Sequence, residues 1–227
     1  MNLAQSDEPL VRWDWIGDHT DDIYERLIEH GELTVIAVAI GFAISFPLAV
    51  FAYRHRRAYA PITWVTGVLY TIPSLALFVF LAPYTGFFSV TTAEIGLVSY
   101  TLLILIRNVV AGLDGVPEDV REAAVGMGYT PRQLLWKVEL PLALPVIAAG
   151  IRIATVTTIG LVTVTALIGK GGLGYFILLG FQQRFDTPLL LGAVLSVVLS
   201  VIVDVLLLTG ERALTPWARK RAVKAFS

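Results

Sequence analysis

Five stretches of this chain stay apolar for about twenty residues, the length at which a helix crosses roughly 30 Å of hydrocarbon. They fall at 33–53, 61–81, 95–113, 141–168 and 188–209. No other feature narrows the fold as far, and it predicts an all-α membrane protein, a polytopic bundle of about five transmembrane helices. The third and fourth stretches carry Arg107 and Arg152, and the fifth carries Asp204. With 56% hydrophobic and 15% charged residues and a mean hydropathy of +0.73, a soluble domain is excluded. Cysteine is absent, which removes disulfides, thiolate metal sites and thiol nucleophiles.

Before position 33 the chain holds nine acids against Arg12 and Arg26 and has no apolar leader core, so the first stretch is expected to be kept as the insertion signal. Arginine and lysine in short loops mark the cytoplasmic side. Eleven lie in the connection around Arg54, Arg56 and Arg57, in the segment holding Arg121, Arg132 and Lys137, and in the tail with Arg212, Arg219, Lys220, Arg221 and Lys224. Four lie opposite: Arg12, Arg26, Lys170 and Arg184. The expectation is a multi-pass protein of the plasma (inner) membrane, N-terminus outside and C-terminus cytoplasmic. Its parts are an acidic extracytoplasmic arm at 1–32, a membrane domain at 33–218 and a basic tail at 219–227.

Ile23, Leu27 and Ile28 recur at helical spacing among acids, which predicts a short interfacial helix before the first span. Ala37, Gly41 and Ser45 put small residues on one face of that span, where another helix can approach closely. Pro47, Pro73 and Pro145 are expected to kink or end their helices.

A polar segment at 114–140 interrupts the apolar pattern, and a membrane chain gains from such a segment only if it touches something in water. Pro117, Glu118 and Asp119 suit a first helical turn, and capping is the role expected of those acids and of Asp114. Gly126 and Gly128 can end that helix, with Gly128 at positive φ. Thr130, Pro131 and Gln133 then form a capping box with proline at the first position, opening a second helix through Leu134, Leu135 and Val138 to Pro141. Such a hairpin presents a short helix, 119–125, to a partner's groove.

Glu122-Ala123-Ala124, then Gly128, then Val138-x-Leu140-Pro141 resembles the cytoplasmic EAA loop of ABC importer permeases. Ile106-Arg107-Asn108, the run 135–147, Gly150-Ile151-Arg152 and Ala166–Gly174 are similar to the glycine betaine/carnitine/choline (osmoprotectant) branch of that family; Tyr175 stands where that branch would carry an acid. The resemblance spans about 33–218. It implies a permease subunit paired with a second one, identical or paralogous. Two ABC ATPase subunits would bind the EAA loops through Glu122, Ala123, Ala124, Gly128, Val138, Leu140 and Pro141, and an extracytoplasmic solute-binding protein would deliver a compatible solute. The alternatives are a permease for an amino acid or organosulfur compound and, in another class, a polytopic membrane enzyme with the insertion as its active-site loop.

Other constellations carry less. Gly169 to Gly174 matches Gly-x-Gly-x-x-Gly, but without a preceding strand it reads as a bend ending the fourth span, leading into an apolar, partly re-entrant stretch at 175–181. Val164 stands where a nucleotide-binding loop needs its first glycine, so ATP hydrolysis is assigned to another chain. His19, His30 and His55 are scattered and expected in solvent, and no cofactor, metal, nucleic-acid or catalytic site is expected. Pathway candidates are Thr155, Thr158 and Thr163 on one stretch, with Arg107 and Arg152, a charge in the membrane costing at least ~2.5 kcal/mol unless paired or wetted. Asp204 is the expected partner of Arg152, and the threonines can instead bond back to their own helix.

Overall fold

The computed structural model describes residues 9–216; the basic tail at 219–227 and the first eight residues lie outside them. Lipid offers no partner to backbone N–H and C=O groups, so spanning segments must satisfy them internally. The described chain is accordingly helical: α1 (Trp13–Asp18), α2 (Thr20–Arg54), α3 (Arg56–Thr71), α4 (Ser74–Thr85), α5 (Val90–Asp114), α6 (Glu118–Gly126), α7 (Pro131–Leu134), α8 (Leu140–Val164), α9 (Gly174–Gln183) and α10 (Asp186–Leu214). Four helical runs are long and apolar enough to cross a membrane, and a bent pair makes a fifth.

The centre of the bundle is α2 against α5 against α8. The small residues predicted on α2 are the contact: Ala37 and Ser45 are fully buried, and a Cβ on Gly41 would lie 1.9 Å from Thr101 Oγ1. α8 comes equally close to α5, where Gly150 faces Asn108 and Gly112 faces the Ala143 carbonyl. Two apolar clusters fill this stack. One joins Leu33, Ala37, Phe78, Ala93, Leu97, Val162 and Ile168, the other Ala49, Ala52, Ile106, Val109, Leu113, Leu135 and Ile147. α3 and α4 flank α5, while α9 and α10 flank α8. Only 6% of the α10 spanning window is buried, so its apolar face is left for lipid or another subunit.

Several expectations are corrected. The interfacial helix is not separate: Ile23, Leu27 and Ile28 lie on the first turns of α2, which runs unbroken through Gly31 and Pro47 to Arg54. The stretch at 61–81 is not one straight helix but α3 and α4, bent by 94°. Pro73 has no N–H and pushes Ile72 to extended backbone, φ −64° and ψ 128°. Tyr100 Oη donates to the freed Ile72 carbonyl at 2.5 Å. The second helix of the polar segment does not stop at Pro141 either. α7 passes through a wider π turn, Leu135–Glu139, directly into α8, and a turn with i to i−5 bonding before a proline relieves the ring's clash with the carbonyl four residues back.

His30, expected in solvent, is fully buried. The Leu173 N–H donates to His30 Nδ1 at 3.3 Å, so Nε2 carries the proton and donates to the Ile159 carbonyl at 3.0 Å. The glycine run is the expected bend: α8 tightens into a 3₁₀ turn, Thr165–Ile168, closed by Gly169 at φ +74°. Gly172 lies so close to α2 that a Cβ would sit 2.7 Å from His30 Cα. Residues 175–181 form most of α9, a ten-residue helix too short to span a membrane and packed on α10.

Candidate docking surface at the polar insertion

α6 forms because Glu118 and Asp119 stand in its first turn, where acids favour the positive end of the dipole. It ends in a Schellman motif: the Gly128 N–H bonds the Val125 carbonyl at 2.9 Å and the Tyr129 N–H bonds the Ala124 carbonyl at 3.1 Å. Gly128 holds φ +84° as the sequence predicts. The capping box is also present, with Gln133 Oε1 accepting from the Thr130 N–H at 2.9 Å and Thr130 Oγ1 from the Gln133 N–H at 3.4 Å. α6 starts one residue earlier and ends one later than the expected 119–125.

The motif residues divide by exposure. Ala124 is buried against the rest of the insertion, whereas Glu122, Ala123, Gly126 and Gly128 are exposed, and so are Val125 at 57% and Met127 at 69%. Val138 and Leu140 are half-buried on the run from α7 into α8, and Pro141 opens α8. α6 and its C-cap Met127 thus turn Glu122, Ala123, Val125 and Met127 outward, beside the exposed acids Glu118 and Asp119, a face of the type a partner's groove accepts.

What holds α6 in place was not read from the sequence. Arg121 points inward: its Nε donates to Glu139 Oε1 at 3.1 Å, Nη1 to Glu118 Oε2 at 2.8 Å and Nη2 to the Leu113 carbonyl at 2.6 Å. Tyr53, at the end of α2, donates to the same Glu139 oxygen at 2.7 Å. Glu139 is 4% exposed. Burial works against the Arg121 charge, but the hydrogen bond to Glu118 and the electrostatic influence of Tyr53, Glu139 and Glu118 outweigh it and raise its pKa. Asp114, expected to cap a helix, instead binds Arg56 through both carboxylate oxygens, a bond that raises the Arg56 pKa, and Glu118 pairs with Arg121. Arg54 donates to the Pro131 carbonyl at 2.9 Å. The basic connection after α2 and the polar insertion therefore meet at one end of the bundle. A signal was available: Glu139 directly before an apolar span demands a cationic partner.

The pathway candidates separate. Thr155 and Thr158 are buried and bond back to Ile151 and Ala154, both at 2.8 Å; Thr163 is half-buried and bonds to Gly160 at 2.7 Å. Arg152 pairs with Asp204 as expected, at 2.7 Å, and lies 3.6 Å from Glu211. Arg107 is exposed on α5.

The chain matches the family described as "Binding-protein-dependent transport system inner membrane component" over residues 28–215. It is 36% identical over 200 residues to the choline transport system permease protein OpuBB of Bacillus subtilis (strain 168), covering 88% of this chain and 92% of that one. It is 38% identical over 203 residues to the osmoprotectant import permease protein OsmW of Salmonella typhimurium, covering 88% and 94%. Its fold is similar to a chain of the MetNI methionine ABC transporter in inward-facing conformations, with TM-score 0.76 and 25% identity over 85% of this chain and 96% of that one.

Proposed function

Because the chain belongs to the family of binding-protein-dependent transport system inner membrane components, we propose that it imports a small osmoprotectant such as choline, glycine betaine or carnitine, driven by an ATPase docked on α6. The chain is a multi-pass membrane permease subunit of an ABC importer, and ATP hydrolysis belongs to a separate subunit. That membership replaces the membrane-enzyme alternative. The solute reading rests on relatives whose own names are those of choline and osmoprotectant permeases.

The observation that carries the docking reading is the outward face of α6 and its C-cap, with Glu122, Ala123, Val125 and Met127 exposed on a segment fixed to the bundle from behind. The EAA-type residues fall in two roles. Glu122 and Ala123 contact the ATPase, while Ala124, Gly128, Val138, Leu140 and Pro141 shape the surface that presents them. We place this end in the cytoplasm, since the loops rich in arginine and lysine gather there, with the acidic arm outside and the basic tail inside. A second permease subunit, identical or paralogous, completes the solute path, because one bundle of this size buries its own centre. Of the pathway candidates, Thr163 and Arg107 keep surface for such a path; Thr155 and Thr158 are enclosed and Arg152 is committed to acids on α10.

The test is uptake by a host lacking its own osmoprotectant importers, supplied with this permease, its ATPase and its binding protein. Labelled choline or glycine betaine should accumulate in an ATP-dependent way under osmotic stress. Accumulation of methionine or another amino acid in place of either would overturn the solute assignment and favour the amino-acid alternative.

A further inference from the structure

Force applied to α6 moves the membrane helices only if the helix is held firmly to them. Its covalent connections are two short turns, one through Gly115 and Val116 and one through Met127 to Thr130. The four elements that must move together also meet through side chains. Arg121 reaches from α6 to the Leu113 carbonyl on the last turn of α5 and to Glu139 at the entry to α8, and Tyr53 brings in α2 by donating to the same Glu139 oxygen. Two guanidinium groups approach the Tyr53 ring, that of Arg56 at 5.1 Å and that of Arg121 at 5.9 Å from its centroid. The Arg121 and Glu139 side chains are 17% and 6% exposed, so water competes little for these bonds, and charge-assisted hydrogen bonds in such a setting are stronger and more directional than neutral ones.

We propose that Arg121, Glu139 and Tyr53 are positioning residues that transmit motion of the ATPase-bound α6 to α2, α5 and α8. Glu139 is buried and Arg121 and Tyr53 are half-buried, behind the exposed face of α6. The proposal rests on the reading of α6 as the ATPase contact, and it assigns to the buried side of the insertion a role separate from that of its exposed side. Glu139 is the hub, since it accepts from both other members. Replacing it with glutamine keeps the shape but removes the charge that orients Arg121.

The experiment uses the complete importer, permease with its ATPase and binding protein, reconstituted in liposomes. Three quantities are measured for Glu139→Gln, Arg121→Gln, Tyr53→Phe and the double exchange Arg121→Glu with Glu139→Arg. They are the ATPase retained on purification, the ATP hydrolysis rate, and solute imported per ATP hydrolysed. Glu139→Gln and Arg121→Gln should retain the ATPase and keep hydrolysing ATP, while solute imported per ATP falls by about tenfold, the size expected for losing one charge-assisted hydrogen bond. Tyr53→Phe, which removes only a hydroxyl and leaves the packing intact, should lose less, and the double exchange should recover part of the loss. Unchanged solute per ATP in both single charge variants overturns the proposal while leaving the docking reading standing. Loss of the ATPase from those variants also overturns it, because the cluster would then only maintain the docking surface. Should Glu122→Lys, on the exposed face, leave ATPase retention untouched, the docking reading itself fails, and this is a separate result.

Discussion

Gly128 isolates a backbone effect from a packing effect. Its φ is +84°, and a Cβ there would meet nothing within 4 Å, so a side chain costs only what left-handed backbone costs an L-residue, ~1–2 kcal/mol. Gly128→Val should therefore misdirect α6 and lower both ATPase retention and uptake, while membrane insertion, driven by the apolar spans, is unchanged. Gly128→Asn should stay close to the unmodified protein, because asparagine tolerates this region. Equal effects of the two, measured by ATPase pull-down from membranes, would show that side-chain bulk and not conformation matters there. The burial of His30 has no local signal in the sequence. Its neighbours Glu29, Gly31 and Glu32 are polar or small, and its burial comes from Ile159 and Leu173, more than a hundred residues away. His30→Leu would leave the Ile159 carbonyl and Leu173 N–H without their histidine partner in a site that excludes water. The detergent-solubilised protein should lose ~1–3 kcal/mol, read as a lower melting temperature; an unchanged melting temperature would mean that those two groups find other partners.

At the scale of elements, the spans and the insertion were legible because their signals are local. Hydropathy over twenty residues locates α2, α5, α8 and α10, and Thr130-Pro131-Arg132-Gln133 spells its own capping box. What was not legible is where neighbouring elements join. Nothing around Gly31 or Pro141 tells a helix that continues from one that stops, because continuation is decided by the helices packed alongside. The Tyr53–Glu139–Arg121 cluster escaped for the same reason, its members coming from positions 53, 121 and 139. Exposure now ranks the α8 threonines, which spacing alone left equal. Thr158 is 1% exposed, so Thr158→Leu should overfill its site at ~1–3 kcal/mol and reduce assembly, whereas Thr158→Val, close in volume, should leave uptake near normal. Thr163 is half-buried, and Thr163→Leu should lower uptake with assembly intact. If Thr163→Leu transports normally, and Thr158→Val does not, the solute path lies against the buried side of α8 instead.

For the whole molecule, orientation decides whether the docking surface faces ATP. The basic residues after α2 and in the insertion converge in space through Arg56 with Asp114 and Arg54 with Pro131, so they must lie on one side of the membrane together. The described part of the arm, from residue 9 on, packs at the other end of the fold, where the Arg12 N–H bonds Thr187 Oγ1 at the start of α10 and the Trp15 ring meets those of Phe176 and Phe185. A bundle with two such ends has only two ways to sit. The eleven-to-four division of arginine and lysine along the sequence is the ground for the proposed orientation with α6 inside, since short loops rich in those residues resist translocation. A reporter active only outside the cell, fused after Asp14 or after Gly86, should be active, and the same reporter after Arg57 or after Ala222 should be silent. The two pairs probe both ends of the bundle twice, so a single misinserted fusion shows itself as a disagreement within a pair. The reverse pattern in both pairs would put α6 on the side without ATP and remove the basis for docking.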